Sequence, residues 1–211
     1  MSQRELVGAW EQAVREARLA LAYSAGKRKT AQISVAAPLP QGVTSDGELA
    51  EVYLSERVEP RDALRSIGGR LPSGVEAFAV EEVGLQSPSL QSQLRWAEYE
   101  VEAGACDEQE MRNAVDELLA ARTLPSEFRR ETKVRQYDLR PLVLSLRVEG
   151  SRNDRVVLSM RLRAEPELTG RADQVVLALG LPEAARIHRR RLQVDEVQPA
   201  VLAYRRAGDE E

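Results

Sequence analysis

Residues 142–163, with the sequence LVLSLRVEGSRNDRVVLSMRLR, give the clearest structural signal in the chain. Two runs of alternating apolar residues flank a turn-forming segment, Gly150-Ser151-Arg152-Asn153-Asp154. The alternating residues are Leu142, Leu144, Leu146 and Val148 in the first run and Val156, Leu158, Met160 and Leu162 in the second. Because side chains two residues apart point to the same side of a strand, this pattern predicts a β-hairpin with one buried face.

The opposite face of the predicted hairpin is rich in arginine. It carries Ser145, Arg147, Arg155, Ser159, Arg161 and Arg163. We select Arg147, Arg161 and Arg163 as candidate anion-binding residues, because long basic side chains on an open sheet face can approach phosphates without burying charge.

Working outward from the hairpin, each half of the chain shows approximately the order strand, helix, strand, strand, helix, strand. This is the order of a ferredoxin-like α/β plait, so we predict an α+β protein with two such plaits in tandem. The predicted domains are residues 1–86 and 93–205. The first half starts with a helix capped by Ser2 and Glu5 and therefore lacks its opening strand. We expect that the gene continues upstream or that another segment fills this central position, since unpaired strand groups are costly when buried.

A second distinctive stretch, residues 21–48, has the sequence LAYSAGKRKTAQISVAAPLPQGVTSDGE. It places a basic turn, Gly26-Lys27-Arg28-Lys29, between two apolar runs, and a second turn is predicted at Ser45-Asp46-Gly47. Lys27, Arg28 and Lys29 join the candidate anion-binding residues, because a turn presents its side chains to solvent.

Composition narrows the classes of function that the protein can have. One cysteine, Cys106, and one histidine, His188, cannot form a disulfide framework or a Cys/His metal cluster, so we predict no metal, no cofactor and no catalytic residue.

No segment is apolar enough for a signal peptide or a membrane span, which favours a cytoplasmic protein. The formal net charge is −4, but residues 124–164 hold ten basic and five acidic side chains. A local basic surface is therefore expected on an acidic protein.

Several short motifs occur in a characteristic order and spacing. They are Ala22-Tyr23-Ser24-Ala25-Gly26, Ile33-Ser34, Pro38-Leu39-Pro40, Gly42-Val43, Gly47-Glu48, Ala97-Glu98-Tyr99, Asp138-Leu139-Arg140-Pro141 and Ala178-Leu179-Gly180. On these motifs the chain resembles the bacterial radical-SAM-linked protein family, a domain of unknown function found beside or fused to radical-SAM proteins. The resemblance implies a radical-SAM protein as partner and marks six residues as family-motif positions: Tyr23, Ser24, Gly26, Ser34, Asp138 and Arg140.

The chain departs from the family pattern in two places. Where members usually carry a Phe-Asn-Pro-His-Pro-Lys type segment, this chain has residues 27–32, KRKTAQ, so that Thr30 replaces the histidine. Any chemistry of that histidine is not expected here. The family also usually begins with a strand and a Ser-His-Leu-Asp segment, and this chain starts inside that region, as a truncated gene model would.

Three hypotheses about function remain open from the sequence. The first is a non-catalytic accessory protein of a radical-SAM modification system that binds tRNA or rRNA through the basic turn and the arginine face. The low aromatic content, 4%, and pairing of the arginines with Glu127, Glu131 and Glu149 would argue against it. The second is a protein-interaction or structural subunit. The third is an enzyme, for which Asp138 and Arg140 are the candidate pair, although such a pair more often pins the start of a strand.

Overall fold

A computed structural model describes residues 2–104, 106–130, 133–181, 186–195 and 202–206 of the 211-residue chain. For residues 128–130, 133, 135 and 202–206 it describes the backbone alone. Five α-helices and eleven strands lie within these ranges. In chain order they are α1 (Gln3–Glu16), β1 (Ile33–Val35), β2 (Val43–Val52), α2 (Pro60–Ile67), β3 (Val75–Ala79), α3 (Leu90–Gln93), β4 (Leu94–Glu102), α4 (Glu108–Ala120), β5 (Pro125–Arg130), β6 (Lys133–Asp138), β7 (Val143–Arg152), β8 (Arg155–Glu165), β9 (Leu168–Thr169), α5 (Ala172–Ala178), β10 (Arg186–Val194) and β11 (Leu202–Arg206).

The predicted mixture of helices and strands is confirmed, and strand pairing is mostly antiparallel. The chain forms two compact units. The first unit is Met1–Leu94 together with Val194–Glu211, and the second is Arg95–Gln193. The end of the chain, which the sequence pattern assigns to the second domain, therefore belongs to the first unit.

The sheet of the first unit has the order β1, β2, β11, β3. Strand β11 pairs antiparallel with β2, where Leu202 lies opposite Ala50, and with β3, where Tyr204 lies opposite Ala77. The sequence predicts a gap in this sheet, which would fall between β2 and β3, unless another segment fills it. In the structure β11 occupies that position, because the backbone groups of β2 and β3 need hydrogen-bonding partners on the sides that face each other.

Helix α1 begins as the sequence predicts. The Ser2 hydroxyl accepts a hydrogen bond from the Glu5 amide at 3.3 Å, and the Ser2 amide donates to the Glu5 carboxylate at 2.6 Å. This reciprocal pair satisfies two amides that have no partner within the helix. The helix ends at Glu16, and Arg18 follows with a φ of 58°. Its buried face consists of Leu6, Trp10, Ala13 and Val14.

That face forms the core of the first unit. Trp10 is completely buried, and it clusters with Val35 of β1, Ala50 of β2 and Ile67 of α2. A buried tryptophan removes a large apolar area from water, so it supplies much of the apolar burial in a chain with few aromatics. Helix α2 starts with Pro60 and ends before Gly68, the positions at which proline and glycine typically begin and end a helix.

In the second unit the strand order is β10, β4, β8, β7, and β9 pairs with β8. The predicted hairpin is present as β7 and β8. Asn153 and Asp154 form its two-residue turn with φ angles of 50° and 59°, which are typical of a type I′ turn. Helix α4 packs against β7 and buries Met111, Val115 and Leu118, all three of which the helical spacing predicts.

Three local predictions differ from the structure. The second turn, predicted at Ser45-Asp46-Gly47, is wrong, because strand β2 continues through these residues and Ser45 is fully buried. A register shift between Val143 and Ser145 turns Leu144 out of the apolar face, and Val143 is buried instead. The polar sequence after Pro125 and up to Tyr137 predicts an extended run, but in the structure it lies in a pair of strands, β5 and β6.

No helix in the described part of the chain is both long enough and apolar enough to cross a membrane.

Helix α1 contains an exposed glycine whose replacement tests the helix directly. A Cβ atom at Gly8 would meet no atom within 4 Å. Gly8→Ala should therefore raise the free energy of unfolding by about 0.5–1 kcal/mol, because alanine loses less backbone entropy in a helix. Urea denaturation measures the change. Gly42→Ala is the comparison, since its φ of +79° strains any other residue and the same measurement should show destabilisation. A Gly8→Ala protein that is less stable than the parent would contradict the helix placement.

Candidate functional site

The basic loop, residues 25–29, is held at its base by a short hairpin-like pairing in the first unit. Tyr23 forms an antiparallel bridge with Ala31. The Ser24 amide donates to the Thr30 carbonyl at 2.9 Å, and the Thr30 amide donates to the Ser24 hydroxyl at 3.1 Å. Ser24 and Thr30 thus close the loop from both sides. Ser24 and Thr30 therefore both have a structural role here.

The three cationic side chains of the basic loop face solvent. Lys27, Arg28 and Lys29 are all exposed. None of them makes a hydrogen bond or an ion pair with any residue in the described ranges. The loop therefore places three positive charges close together, and no carboxylate of the described residues forms an ion pair with them. Such a surface is suited to an anion from outside the chain.

Two further family-motif residues support the loop from neighbouring elements. The Tyr23 hydroxyl lies 3.4 Å from a Glu11 carboxylate oxygen on α1, and the Ser34 hydroxyl donates to Glu51 on β2 at 3.2 Å. Gly26 has no steric requirement for glycine, because an added Cβ would meet only the Arg28 carbonyl, at 3.8 Å. The Tyr23 contact ties the base of the loop to α1, and the Ser34 contact joins β1 to β2.

The arginines of the hairpin face have a different environment. Arg161 lies 3.4 Å from the carboxylate of Glu98 on the adjacent strand β4, and its guanidinium lies 4.2 Å from the centre of the Trp96 ring. Arg163 pairs with Glu165 at 2.8 Å and also donates to the Pro141 carbonyl at 3.3 Å. Both predicted anion-binding arginines therefore already have carboxylate partners. Arg147 is the exception, because it is exposed and has no partner among the described residues.

The same pairing continues along β4. Glu100 accepts hydrogen bonds from Arg152 at 3.1 Å and from Arg190 at 2.8 Å. Arg152 also lies 3.8 Å from Glu102. Alternate β4 residues from Trp96 to Glu102 lie on one face, with Trp96 opposite Arg163 and Glu98 opposite Arg161. The face is a network of paired charges.

The carboxylates in this network are not the ones that the sequence predicts. Glu149, one of the predicted partners, accepts a hydrogen bond from Ser159. Glu131, another, lies outside the described residues. The observed partners of Arg161 and Arg163 are Glu98 and Glu165, and Glu98 comes from a strand more than sixty residues earlier in the chain. Only the strand register brings Glu98 and Arg161 together.

Asp138 and Arg140 hold the backbone between β6 and β7 in the second unit. Asp138 accepts hydrogen bonds from the amides of Leu124, at 2.7 Å, and of Arg140 itself, at 3.0 Å. Arg140 donates to the Leu119 carbonyl at the end of α4, at 2.8 and 3.1 Å, and to the Val143 carbonyl at 3.1 Å. The pair pins the beginning of β7 through backbone groups. This geometry supports a structural role.

A groove of about 430 Å³ opens on the first unit. Its floor includes Val14, Ile67 and Val80, and the ion pair between Arg57 and Glu82, with a separation of 2.8 Å, is part of its wall. Burial and the nearby charge of Glu51 raise the pKa of Tyr53, another lining residue. Leu85, also in the lining, is 84% exposed. The groove is therefore a second, mainly apolar surface feature of this unit.

Across the described residues, no group of three or more His, Cys, Asp or Glu side chains is arranged to hold a metal ion. Cys106 is an exposed residue, but slight desolvation of the thiol together with the charges of Asp107 and Glu110 raises its pKa. A raised pKa lowers the thiolate fraction and with it the reactivity of the thiol.

Sequence reasoning missed two features of the second unit. The first is the position of Trp96 between Arg161 and Arg191, whose guanidinium lies 5.9 Å from the ring centre. The alternation of Trp96 with Glu98 and Glu100 could have indicated that the three share a face. The second is the β5–β6 pair, which contains several basic residues. The cluster of charged residues between Pro125 and Asp138 is the sequence feature that could have indicated this pair.

Comparison with known proteins gives one family. Residues 1–171 match the family described as "Uncharacterized protein conserved in bacteria (DUF2344)". No match was found among curated proteins.

The Glu100 network makes a prediction about acid stability. Burial raises the pKa of Glu100, but hydrogen bonds and charge from Arg190 and then Arg152 outweigh burial, so the net pKa is lowered from 4.5. A carboxyl group whose pKa is lower in the folded state stabilises the fold above its unfolded pKa, and this stabilisation is lost as pH falls through the folded pKa. Glu100→Gln should lower the free energy of unfolding by up to about 1 kcal/mol near pH 7, and this deficit should shrink below about pH 4.5.

Thermal denaturation from about pH 7 to about pH 3 measures this effect. Glu117→Gln, on the exposed side of α4, is the matched control. A deficit for Glu100→Gln that stays constant over this pH range would show that the pairing with Arg190 and Arg152 does not stabilise the fold.

Proposed function

The chain belongs to the DUF2344 family, and we propose that it is a non-catalytic accessory protein that binds RNA through the basic loop. The radical-SAM modification system remains the proposed setting, and its support is the resemblance of the short motifs around Tyr23 and Asp138 described above. The enzyme hypothesis has less support, because the hydrogen bonds of Asp138 and Arg140 go to backbone groups.

The observation that carries the RNA proposal is the contrast between two groups of cations. Lys27, Arg28 and Lys29 are exposed and have no partner among the described residues, whereas Arg161 and Arg163 are each paired with a carboxylate. A cation already paired within the protein must lose that pair before it can bind a phosphate. Unpaired cations release condensed counterions from RNA without such a cost. The basic loop is therefore the primary contact in this proposal, and the hairpin face is secondary.

The location of the loop on an acidic protein adds to this argument. The formal net charge is −4, so the protein has no overall positive charge that would attract RNA to its whole surface. Binding should instead be local to the loop. The low proportion of aromatic residues favours contacts with the sugar–phosphate backbone over extensive base stacking, and such contacts carry little sequence preference.

The proposed architecture is a pair of ferredoxin-like plaits. In the second unit, β4, α4, β7, β8, α5 and β10 follow the order of that fold, and its first strand, β4, lies between β10 and β8 as the fold requires. In the first unit, β11 lies where the opening strand would be. We propose that β11 is the topological substitute for that strand.

The alternative, a protein-interaction subunit, is favoured by a specific feature. The groove of the first unit includes Leu85, which is 84% exposed, and Phe78 of β3 is 49% exposed. A partner that covers these side chains would gain from apolar burial. The dependence of affinity on salt concentration distinguishes the two functions. An apolar interface loses little affinity as ionic strength rises, whereas phosphate contacts lose much.

The test of the proposal replaces Lys27, Arg28 and Lys29 together with glutamine. Bulk tRNA and a labelled single-stranded RNA are titrated at about 50 mM and about 200 mM salt, with affinity read by fluorescence anisotropy. Loss of three phosphate contacts should weaken binding on the order of tenfold or more and should reduce the slope of log affinity against log salt by about 2. The thermal midpoint should stay close to that of the parent.

Two controls accompany this variant. Arg4, Arg61 and Arg65, all exposed helix residues, are replaced with glutamine to give an equal change of net charge, and this protein should bind like the parent. Arg161→Gln with Arg163→Gln should lower stability by about 1 kcal/mol and leave most of the binding. RNA binding would be rejected as the function if the parent shows no binding at the lower salt concentration.

A further inference from the structure

Tyr23 is an aromatic residue at the base of the basic loop, and part of it is open to solvent. It is 40% exposed, whereas Ala31, directly opposite in the antiparallel bridge, is 9% exposed and Leu21, two residues earlier, is 8% exposed. A tyrosine whose only role was to fill the core would be covered as these neighbours are. Packing within the first unit therefore does not account for the exposed part of Tyr23.

Contacts on the backbone and on the side chain hold Tyr23 in one orientation. The bridge to Ala31 fixes its backbone, and the hydrogen bond from the Ser24 amide to the Thr30 carbonyl, at 2.9 Å, fixes the next residue. Its hydroxyl lies 3.4 Å from a carboxylate oxygen of Glu11 on α1. A tyrosine side chain has two χ angles, and one that is already held loses little conformational entropy when a ligand binds.

The length of the loop places its cations near this ring. The five residues 25–29 leave the Ser24 and Thr30 pair and return to it. Since an extended chain advances at most about 3.3–3.6 Å per residue, the tip lies no more than about 10 Å from that pair. Tyr23 directly precedes Ser24. A nucleotide with its base on Tyr23 therefore has its own and neighbouring phosphates within reach of the long basic side chains of the loop.

An aromatic ring beside a group of cations distinguishes single-stranded RNA from duplex RNA. In a duplex the bases stack on one another, so their faces are not accessible to a side chain. Proteins that bind single strands combine cations along the backbone with aromatic side chains on which bases stack. Phosphate contacts alone carry no such distinction. The ring therefore adds a preference that the three cations of the loop cannot supply.

We propose that Tyr23 is the base-stacking residue of the basic loop and that the loop binds single-stranded RNA. One base lies against the Tyr23 ring, and the adjacent phosphates lie against Lys27, Arg28 and Lys29. Glu11 positions the ring through the tyrosine hydroxyl. The inference rests on the proposed RNA binding at the basic loop and names the form of RNA that the loop takes. A single aromatic residue gives a preference for single strands and little preference for base sequence.

The test replaces Tyr23 with leucine, which keeps an apolar side chain and removes the aromatic face. Affinity for a labelled single-stranded RNA of about ten nucleotides, measured by fluorescence anisotropy, should fall by about fivefold to a hundredfold. Affinity for an RNA duplex of the same length should not change. Tyr23→Phe keeps the ring and loses only the contact with Glu11, so it should retain most of the binding to the single strand.

The dependence on salt separates the base contact from the phosphate contacts. Stacking releases no counterions, so Tyr23→Leu should keep the parent's slope of log affinity against log salt, whereas the glutamine variant of Lys27, Arg28 and Lys29 should reduce that slope by about 2. Phe78→Leu is the matched control, because Phe78 is an aromatic residue on β3 of the same unit and is 49% exposed. It should bind both RNAs like the parent. The thermal midpoint of each variant shows that it is folded.

The outcomes distinguish failure of this inference from failure of the proposed function. If the basic-loop variant loses binding and Tyr23→Leu does not, the inference is overturned and the proposed function stands. If Tyr23→Leu loses binding to the single strand and to the duplex alike, or Tyr23→Phe loses as much as Tyr23→Leu, base stacking is overturned. If Tyr23→Leu loses binding to the single strand and the loop variant does not, Tyr23 is supported and the loop cations are rejected as phosphate contacts. Absence of RNA binding in the parent overturns both.

A second measurement uses the unmodified protein, so it does not depend on how the variants fold. The parent is titrated with a strand of the same length that has the same sugar–phosphate backbone and no bases. It should bind this abasic strand more weakly than the intact strand, by about the factor that Tyr23→Leu loses on the intact strand. The parent and Tyr23→Leu should then bind the abasic strand equally, because the base that Tyr23 contacts is absent. Equal affinity of the parent for the two strands overturns the inference.

Discussion

The first unit depends on the pairing of backbone groups at the centre of its sheet. Strands β2 and β3 do not pair with each other, and β11 lies between them and is antiparallel to both. Unpaired amide and carbonyl groups at that position would each cost about 1–3 kcal/mol if buried. The segment that meets this requirement comes from the other end of the chain. Folding of the first unit therefore requires a contact of very large sequence separation, which is slow to form compared with a local hairpin.

The basic loop and the hairpin face look alike in sequence, but they differ in the carboxylates that lie next to their cations. The basic loop and the hairpin face each contain at least three cations, and composition alone treats them as equivalent. Strand β4 contributes Glu98, Glu100 and Glu102 next to the hairpin, so Arg152 and Arg161 have carboxylate partners, whereas Arg147 has none among the described residues. The loop projects from the base formed by Ser24 and Thr30, and no described carboxylate pairs with its cations. For this reason the basic loop is the surface at which we propose that RNA binds.

Local features of the fold could be predicted from the sequence, and features set by long-range register could not. The capping box of α1, the ends of α2 at Pro60 and Gly68 and the β7–β8 hairpin all follow from residues that are near one another in the chain. Pairing of Arg161 with Glu98 depends on how β4 and β8 align, which no local pattern specifies. The Ser45-Asp46-Gly47 signal is typical of a turn, but the partners of β2 hold it extended. Strand β11 was missed because its five residues have no strong alternation and its role depends on strands more than a hundred residues away.

Hydrogen exchange on a shortened chain tests the central claim most directly. A variant that ends at Asp195 lacks β11, while the β7–β8 hairpin of the second unit serves as an internal reference. Strand β3 should lose amide protection, since β11 is its only strand partner in the described ranges, and β2 should lose part of its protection. The reference hairpin should exchange as it does in the full chain. Unchanged protection of Val75–Ala79 in the shortened protein would contradict the account, because it would show that the sheet of the first unit is complete without β11.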